Sequence, residues 1–170
     1  MNLNKNLIFL GMMGSGKSTI GYLVSKKLGL PFIDIDTLIE KEEGAKISNI
    51  FEKKGESYFR NLEEKITLKN LKNGGNIISL GGGSFINKKI RNEVLTNHLS
   101  FWLELGDSTL IKRLKGSKKR PLVFNSTDNE IKNLIKKRKK VYGKAQFKIN
   151  CDKLTKHEIV KKIIKIYELN

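Results

Sequence analysis

Leu7-Ile8-Phe9-Leu10-Gly11-Met12-Met13-Gly14-Ser15-Gly16-Lys17-Ser18 decides how this chain is read. Its first four residues form an unbroken apolar run, as in a central parallel strand covered on both faces. Gly11 to Ser18 then fits G-x-x-x-x-G-K-[ST]. Residues 17 to 28 follow with Ile20, Leu23, Val24 and Leu28 on one helical stripe, stopped by Gly29 and Pro31. A glycine-rich turn lets successive backbone N–H groups face one centre, and the positive end of the following helix adds to them. Such a turn holds phosphate oxygens; Lys17 would reach the β and γ phosphates and Ser18 a magnesium ion.

Outward from this motif the pattern alternates. A short second strand around Phe32 and Ile33 ends in Asp34 and Asp36, and helical segments carry Ile47, Ile50 and Phe51, then Phe59, Leu62 and Ile66. Gly44, Gly55, Gly74 and Gly75 separate these segments. Asn76 to Leu80 reads as a third strand running into Gly81, Gly82 and Gly83, and Leu99 to Leu105 as a fourth, before a helix from Asp107 to Leu114. Residues 115 to 129 lack periodicity and read as a mobile surface loop. A helix from about Asn129, a strand at Phe147 to Asn150 and a closing helix with Ile159, Val160, Ile163 and Ile164 complete the chain. The alternation implies a parallel α/β sheet, and 170 residues without repeat or linker imply a single domain, 1–170.

Composition narrows the function classes. No apolar run approaches the roughly 20 residues that span a bilayer. The lone cysteine, Cys151, supports neither a disulfide framework nor a zinc site, so a cytoplasmic protein is expected. The net charge of +17 is uneven: residues 1–85 carry 12 cations against 9 acids, and residues 86–170 carry 22 against 8. That asymmetry fits a solvated lysine-rich face, a nucleic-acid partner or a membrane surface; few aromatics interleave the basic runs, and no basic recognition motif accompanies them.

The acceptor side separates kinases from other nucleotide-binding proteins. The guanine-reading NKxD and the DxxG of GTPases are absent. Asp34 and Asp36 end a strand where an open α/β sheet places its ligand crevice, so one could sit near magnesium and the other accept hydrogen bonds from an acceptor hydroxyl. Alternatively Asp36 caps the following helix at Thr37. Arg138 shares a helical face with Ile131, Leu134, Ile135 and Tyr142 and so points inward, unlike its lysine neighbours. A buried guanidinium needs an anion, either a ligand carboxylate held by two parallel hydrogen bonds or a structural partner. Arg60 could serve the same ligand or pair within its helix with Glu63 and Glu64. Gly81 to Gly83 either admit a ligand close to bare backbone or form a flexible turn. Arg120 could fold over the transferring phosphate or be part of a solvated basic loop.

Together the glycine-lysine loop, Asp34-Ile35-Asp36, Gly55-Glu56-Ser57-Tyr58-Phe59-Arg60, Gly81-Gly82-Gly83, Arg120-Pro121-Leu122 and Lys137-Arg138-Lys139-Lys140-Val141-Tyr142 resemble shikimate kinases in order and spacing, over nearly the whole chain. The resemblance implies a P-loop NTPase of the nucleoside-monophosphate-kinase-like type. This is a three-layer sandwich with a five-stranded parallel sheet, a substrate-binding region at about 34–62 and a lid at about 115–126. It implies transfer of the γ-phosphoryl of ATP, with Mg2+, to the 3-hydroxyl of shikimate. By position it puts ATP phosphates on Gly14, Ser15, Gly16, Lys17, Ser18 and Thr19, magnesium on Ser18 with Asp34, and shikimate on Asp36, Arg60, Gly82 and Arg138. Lys17 and Arg120 would stabilise the transferring group beside Asp36, Arg113 would lie against adenine, and Phe51 and Phe59 would wall the pocket. After the last strand the resemblance weakens, and Asn150 to Thr155 offers no evident adenine contact. Rival readings are a small kinase for gluconate or a nucleoside monophosphate, or a basic nucleic-acid-binding module. A monomer with a small-molecule substrate and no membrane is the expectation.

Overall fold

Leu7–Leu10 forms β1, and all four side chains are buried although successive ones point to opposite faces. A strand covered on both sides needs helices above and below its sheet, and the chain supplies them. The computed structural model describes residues 5–115, 123 and 126–170. Its elements in order are β1, α1 (Lys17–Leu28), β2 (Phe32–Asp34), α2 (Ile35–Glu43), α3 (Ile47–Leu71), β3 (Ile77–Ser79), α4 (Lys88–Asn97), β4 (Leu99–Glu104), α5 (Asp107–Leu114), α6 (Asp128–Tyr142), β5 (Phe147–Asn150) and α7 (Lys156–Glu168). A short 3₁₀ turn, Ser84–Ile86, joins β3 to α4.

The five strands are all parallel, in the order β2-β3-β1-β4-β5. Phe9 sits opposite Ser79 on one side and Phe101 on the other, and the rings of Phe9 and Phe101 stack at 5.7 Å. The connection from β1 runs over β3 to β2, and the connection from β3 runs over β1 to β4, so the chain leaves the neighbouring carboxyl ends of β1 and β3 toward opposite edges of the sheet. A crevice opens at such a switch point. The glycine-rich turn after β1 falls in that crevice, and Asp34 and Ser79, paired in register at the ends of β2 and β3, lie on its rim.

Several boundaries differ from the sequence reading. β2 ends at Asp34, and Asp36 lies in the first turn of α2; the helix cap is Asp34, whose Oδ1 accepts from Thr37 N at 3.2 Å, not Asp36. Ile35, fully buried, pulls the chain into the helix immediately after the strand. β4 stops at Glu104, one residue before Leu105. Gly55 breaks α3 with φ 80° and ψ 168°, so the two predicted helical segments meet at a kink that a side chain would strain. α4 is an additional helix: Asn87 caps it, accepting from Lys89 N and Ile90 N, and Ile90 and Val94 bury its inner face. The lid expectation falls largely outside the described residues, and Arg120 lies entirely outside them.

At the far end of the sheet Cys151 is buried beside β5, and burial first, then Asp152, pushes its thiol up to about 11. Among the described residues no helix is long and apolar enough to cross a membrane.

Candidate active site

The turn from β1 into α1 is shaped by its glycines. Gly14 and Gly16 adopt φ 80° and 94°, a left-handed conformation open to glycine at little cost. A Cβ on Gly11 would stand 2.7 Å from the Leu103 carbonyl, so this end of the loop can pass β4 only without a side chain. Lys17 is buried and donates from Nζ to the Gly11 and Met12 carbonyls at 3.1 Å each, which holds the ammonium over the loop. Arg113, from the last turn of α5, donates to the Gly14 carbonyl at 2.9 Å and ties that helix to the loop. Ser15 is turned away: its N–H closes a turn on the Met12 carbonyl at 3.0 Å, and its hydroxyl is buried without a hydrogen-bond partner among the described residues.

Beside the loop opens a cleft of about 550 Å3. One half is lined by Gly14, Gly16, Lys17, Ser18, Thr19 and Arg113; the other by Asp36, Phe51, Phe59, Arg60, Gly82 and Gly83, with Met13, Ile47, Glu63, Ser79 and Leu80 completing the wall. One half thus offers phosphate-binding backbone and cations, and the other a carboxylate, a guanidinium and two aromatic rings. Asp34 and Ser15 do not line it. Asp34 is engaged by its own helix through Thr37, and Ser15 by the loop's internal turn.

The acceptor half is built around a buried carboxylate the sequence reading did not assign to the pocket. Glu63, on α3, accepts from Arg60 Nη1 at 2.6 Å and from Ser84 Oγ at 2.7 Å. Arg60 also pairs with Glu56 at 3.2 Å and lies over the rings of Phe51 and Phe59. The anticipated pairing with Glu64 does not form; Glu64 turns outward to Lys89 at 2.7 Å and Asn87 at 2.6 Å. The three glycines after β3 are there for space. A Cβ on Gly81 would meet Asp36 Oδ1 and Glu63 Oε1 at 2.6 Å, one on Gly82 the Met13 nitrogen at 3.1 Å, and one on Gly83 the Arg60 Nη1 at 2.5 Å.

Arg138 is 7% exposed and forms no ion pair with any described residue. Its Nη1 donates to the Gly82 carbonyl at 3.2 Å and lies 3.8 Å from Met12 Sδ, just behind the cleft wall. Tyr142, one turn further along α6, donates to the same carbonyl at 2.5 Å. Asp36 titrates at about 6: burial raises it most, the nearby Asp34 and Glu63 carboxylates raise it further, and Lys17 and Arg60 pull it down. A carboxylate poised there is ionised at neutral pH yet basic enough to take up a proton.

The oxygen donors fit magnesium. Ser18 Oγ is 3.5 Å from Ser79 Oγ at the mouth of the phosphate half, and Asp36 lies within range of the Asp34 charge. No cluster of three or more His, Cys, Asp or Glu among the described residues could hold an ion by itself. Hydroxyl and carboxylate oxygens in small number suit Mg2+, which completes its shell with phosphate and water.

The family model for shikimate kinase matches residues 13–168. A shikimate kinase of Sulfurihydrogenibium sp. is 44% identical over 160 residues, covering 94% of this chain and 96% of that one. The Aquifex aeolicus shikimate kinase is 41% identical over 165 residues, with 96% of each chain covered. Among solved structures, shikimate kinase from Acinetobacter baumannii in complex with shikimate superposes with a TM-score of 0.92 at 27% identity, covering 99% of this chain and 95% of that one.

Proposed function

The chain belongs to the shikimate kinase family, and we propose that it transfers the γ-phosphoryl group of ATP to the 3-hydroxyl of shikimate. The observation that carries the acceptor's chemistry is Arg138: a guanidinium 7% exposed, with no carboxylate partner among the described residues, behind the wall of a cleft that begins at a phosphate loop. Burying a cation without an anion is costly, and a ligand carboxylate removes that cost. Arg60, held by Glu63 and Glu56 on the opposite side of the Gly82-Gly83 loop, adds a second positive group. Two guanidinium groups and one hydroxyl-accepting aspartate suit a small hydroxylated acid, and they leave little to recognise a nucleobase.

In this reading Gly14, Gly16, Lys17, Ser18 and Thr19 hold the ATP phosphates, and Arg113 braces the loop and faces the adenine. Ser18, with Asp34, would hold Mg2+, which when bound neutralises the β and γ phosphate oxygens. Asp36 accepts a hydrogen bond from the acceptor hydroxyl and takes its proton as the new P–O bond forms, while the bond to the β-phosphate oxygen breaks and ADP leaves. The chain's main contribution is alignment and charge compensation, as phosphoryl transfer requires. Lys17 stabilises the transferring group, and Arg120 is assigned the same role from the lid. We take 1–170 as one kinase domain with its acceptor region at 34–62, acting as a cytoplasmic monomer whose basic second half is a solvated face.

The test is ADP release with Mg2+ against a panel of shikimate, gluconate and nucleoside monophosphates. Shikimate should be the preferred acceptor by kcat/KM. Preference for gluconate or a nucleotide would overturn the assignment.

A further inference from the structure

Tyr142 takes no part in the chemistry described above, yet it is 2% exposed, and its hydroxyl donates to the Gly82 carbonyl with the Arg138 guanidinium close beside it. That carbonyl accepts twice, from Tyr142 Oη at 2.5 Å and from Arg138 Nη1 at 3.2 Å. Both donors stand on one face of α6, four residues apart. A carbonyl has two lone pairs, so the pair of bonds fixes the direction of its C=O.

A peptide unit is planar, with C=O and N–H on opposite edges. Anchoring the Gly82 carbonyl on α6 therefore aims the Gly83 N–H away from α6. Among the described residues the N–H groups of Gly82 and Gly83 donate to nothing, and both residues line the acceptor half of the cleft. The loop is also wedged: a Cβ on Gly82 would stand 3.1 Å from the Met13 nitrogen and 3.6 Å from Arg138 Nη1, and one on Gly83 2.5 Å from Arg60 Nη1. The loop is thus fixed by α6, by the phosphate loop and by Arg60.

Resting on the shikimate reading, we infer that Tyr142 is a positioning residue for the acceptor. Its hydroxyl shares the anchoring of the Gly82 carbonyl with Arg138, so that the Gly83 N–H is presented to the acceptor half of the cleft and the other guanidinium nitrogens of Arg138 stay available to the acid's carboxylate. Without that hydroxyl, Arg138 becomes the carbonyl's remaining donor and is drawn toward Gly82, away from the ligand. Burial, the largest influence, pushes the Tyr142 hydroxyl up to about 12, so it remains a donor throughout the working pH range. A tyrosine that merely filled the core would also satisfy its hydroxyl on a nearby carbonyl. The two roles differ in what they do to the kinetics.

Tyr142→Phe keeps the ring and removes only the hydroxyl. Steady-state kinetics should show KM for shikimate raised by about fivefold to tenfold, the size of one hydrogen bond, with kcat and KM for ATP within about twofold of the parent. The melting temperature and ADP affinity of the variant, measured alongside, establish that it is folded. An unchanged shikimate KM overturns the inference, and so does a joint fall in stability, kcat and both affinities, which marks a packing role. The parent enzyme in the same assay tests the underlying reading separately. If it prefers another acid, the shikimate assignment falls and the same KM comparison, made on that acid, still decides the role of Tyr142.

Discussion

Asp36→Asn should make the protein more stable and nearly inactive, and the two effects share one cause. The carboxyl titrates at about 6 against an ordinary 3.8, chiefly because it is buried. A shift of about two units at 1.36 kcal/mol per unit corresponds to about 3 kcal/mol of strain in the ionised folded state. The sign follows from linkage. Between pH 3.8 and 6 the folded protein holds a proton that the unfolded chain has lost, so this group lowers stability as pH rises through that window. The penalty is complete above pH 6 and absent below about 3.8. Asparagine is neutral throughout and escapes it, so at pH 8 the variant should gain up to about 3 kcal/mol, or roughly 6–12 °C in Tm for a chain of this size. Urea unfolding of both proteins from pH 4 to pH 8 measures the difference, which should be small at pH 4, widen to pH 6 and then plateau. A variant less stable than the parent at pH 8, or a difference independent of pH, would refute the reasoning. In the kinetics, kcat/KM of the parent should fall about tenfold per pH unit below 6, since the acceptor hydroxyl needs an ionised partner. The variant should lose most activity at every pH.

Arg138→Ala should raise KM for shikimate about thirtyfold or more, on the order of 2 kcal/mol, while leaving ATP affinity in place, and an unchanged KM would remove Arg138 from the acceptor site. Gly83→Ala forces the Arg60 guanidinium to move, because the new methyl would lie 2.5 Å from its Nη1; acceptor KM should rise with little change in nucleotide binding, measured by ADP titration. Removing magnesium with EDTA should abolish turnover, and restoring excess Mg2+ should recover it fully, as judged by ADP release.

The phosphate loop was legible because its chemistry is local. Strand, glycines, lysine and helix are consecutive, and the conformation follows from residue types alone. The inward turn of Arg138 was legible for a similar reason, since helical periodicity places it among Ile131, Ile135 and Tyr142. Glu63 was harder to read. Its pairing with Arg60 on the same helix was one sequence alternative, but its place in the pocket depends on Ser84 and the neighbouring Asp36, which come from other elements, and periodicity on α3 says only that the residue lies near an apolar stripe. The same holds for Tyr142, which reaches Gly82 across 60 positions. α4 escaped because only Ile90 and Val94 mark its buried face, and the informative signal was the Asn87 cap. Gly81 to Gly83 read equally well as a loose turn. The backbone there has no left-handed angles, and the need for glycine arises entirely from the neighbours that crowd it.

Cys151 gives this molecule a clock. It is the chain's one thiol, it is buried, and burial pushes its proton loss up to about 11, so a thiolate-directed reagent attacks it slowly while the fold is intact. Opening of the sheet's β5 edge speeds its modification. The labelling rate, followed by mass spectrometry in the presence of each substrate, converts occupancy of the cleft, which Arg113 lines within range of this thiol, into the lifetime of the closed chain, with no introduced probe.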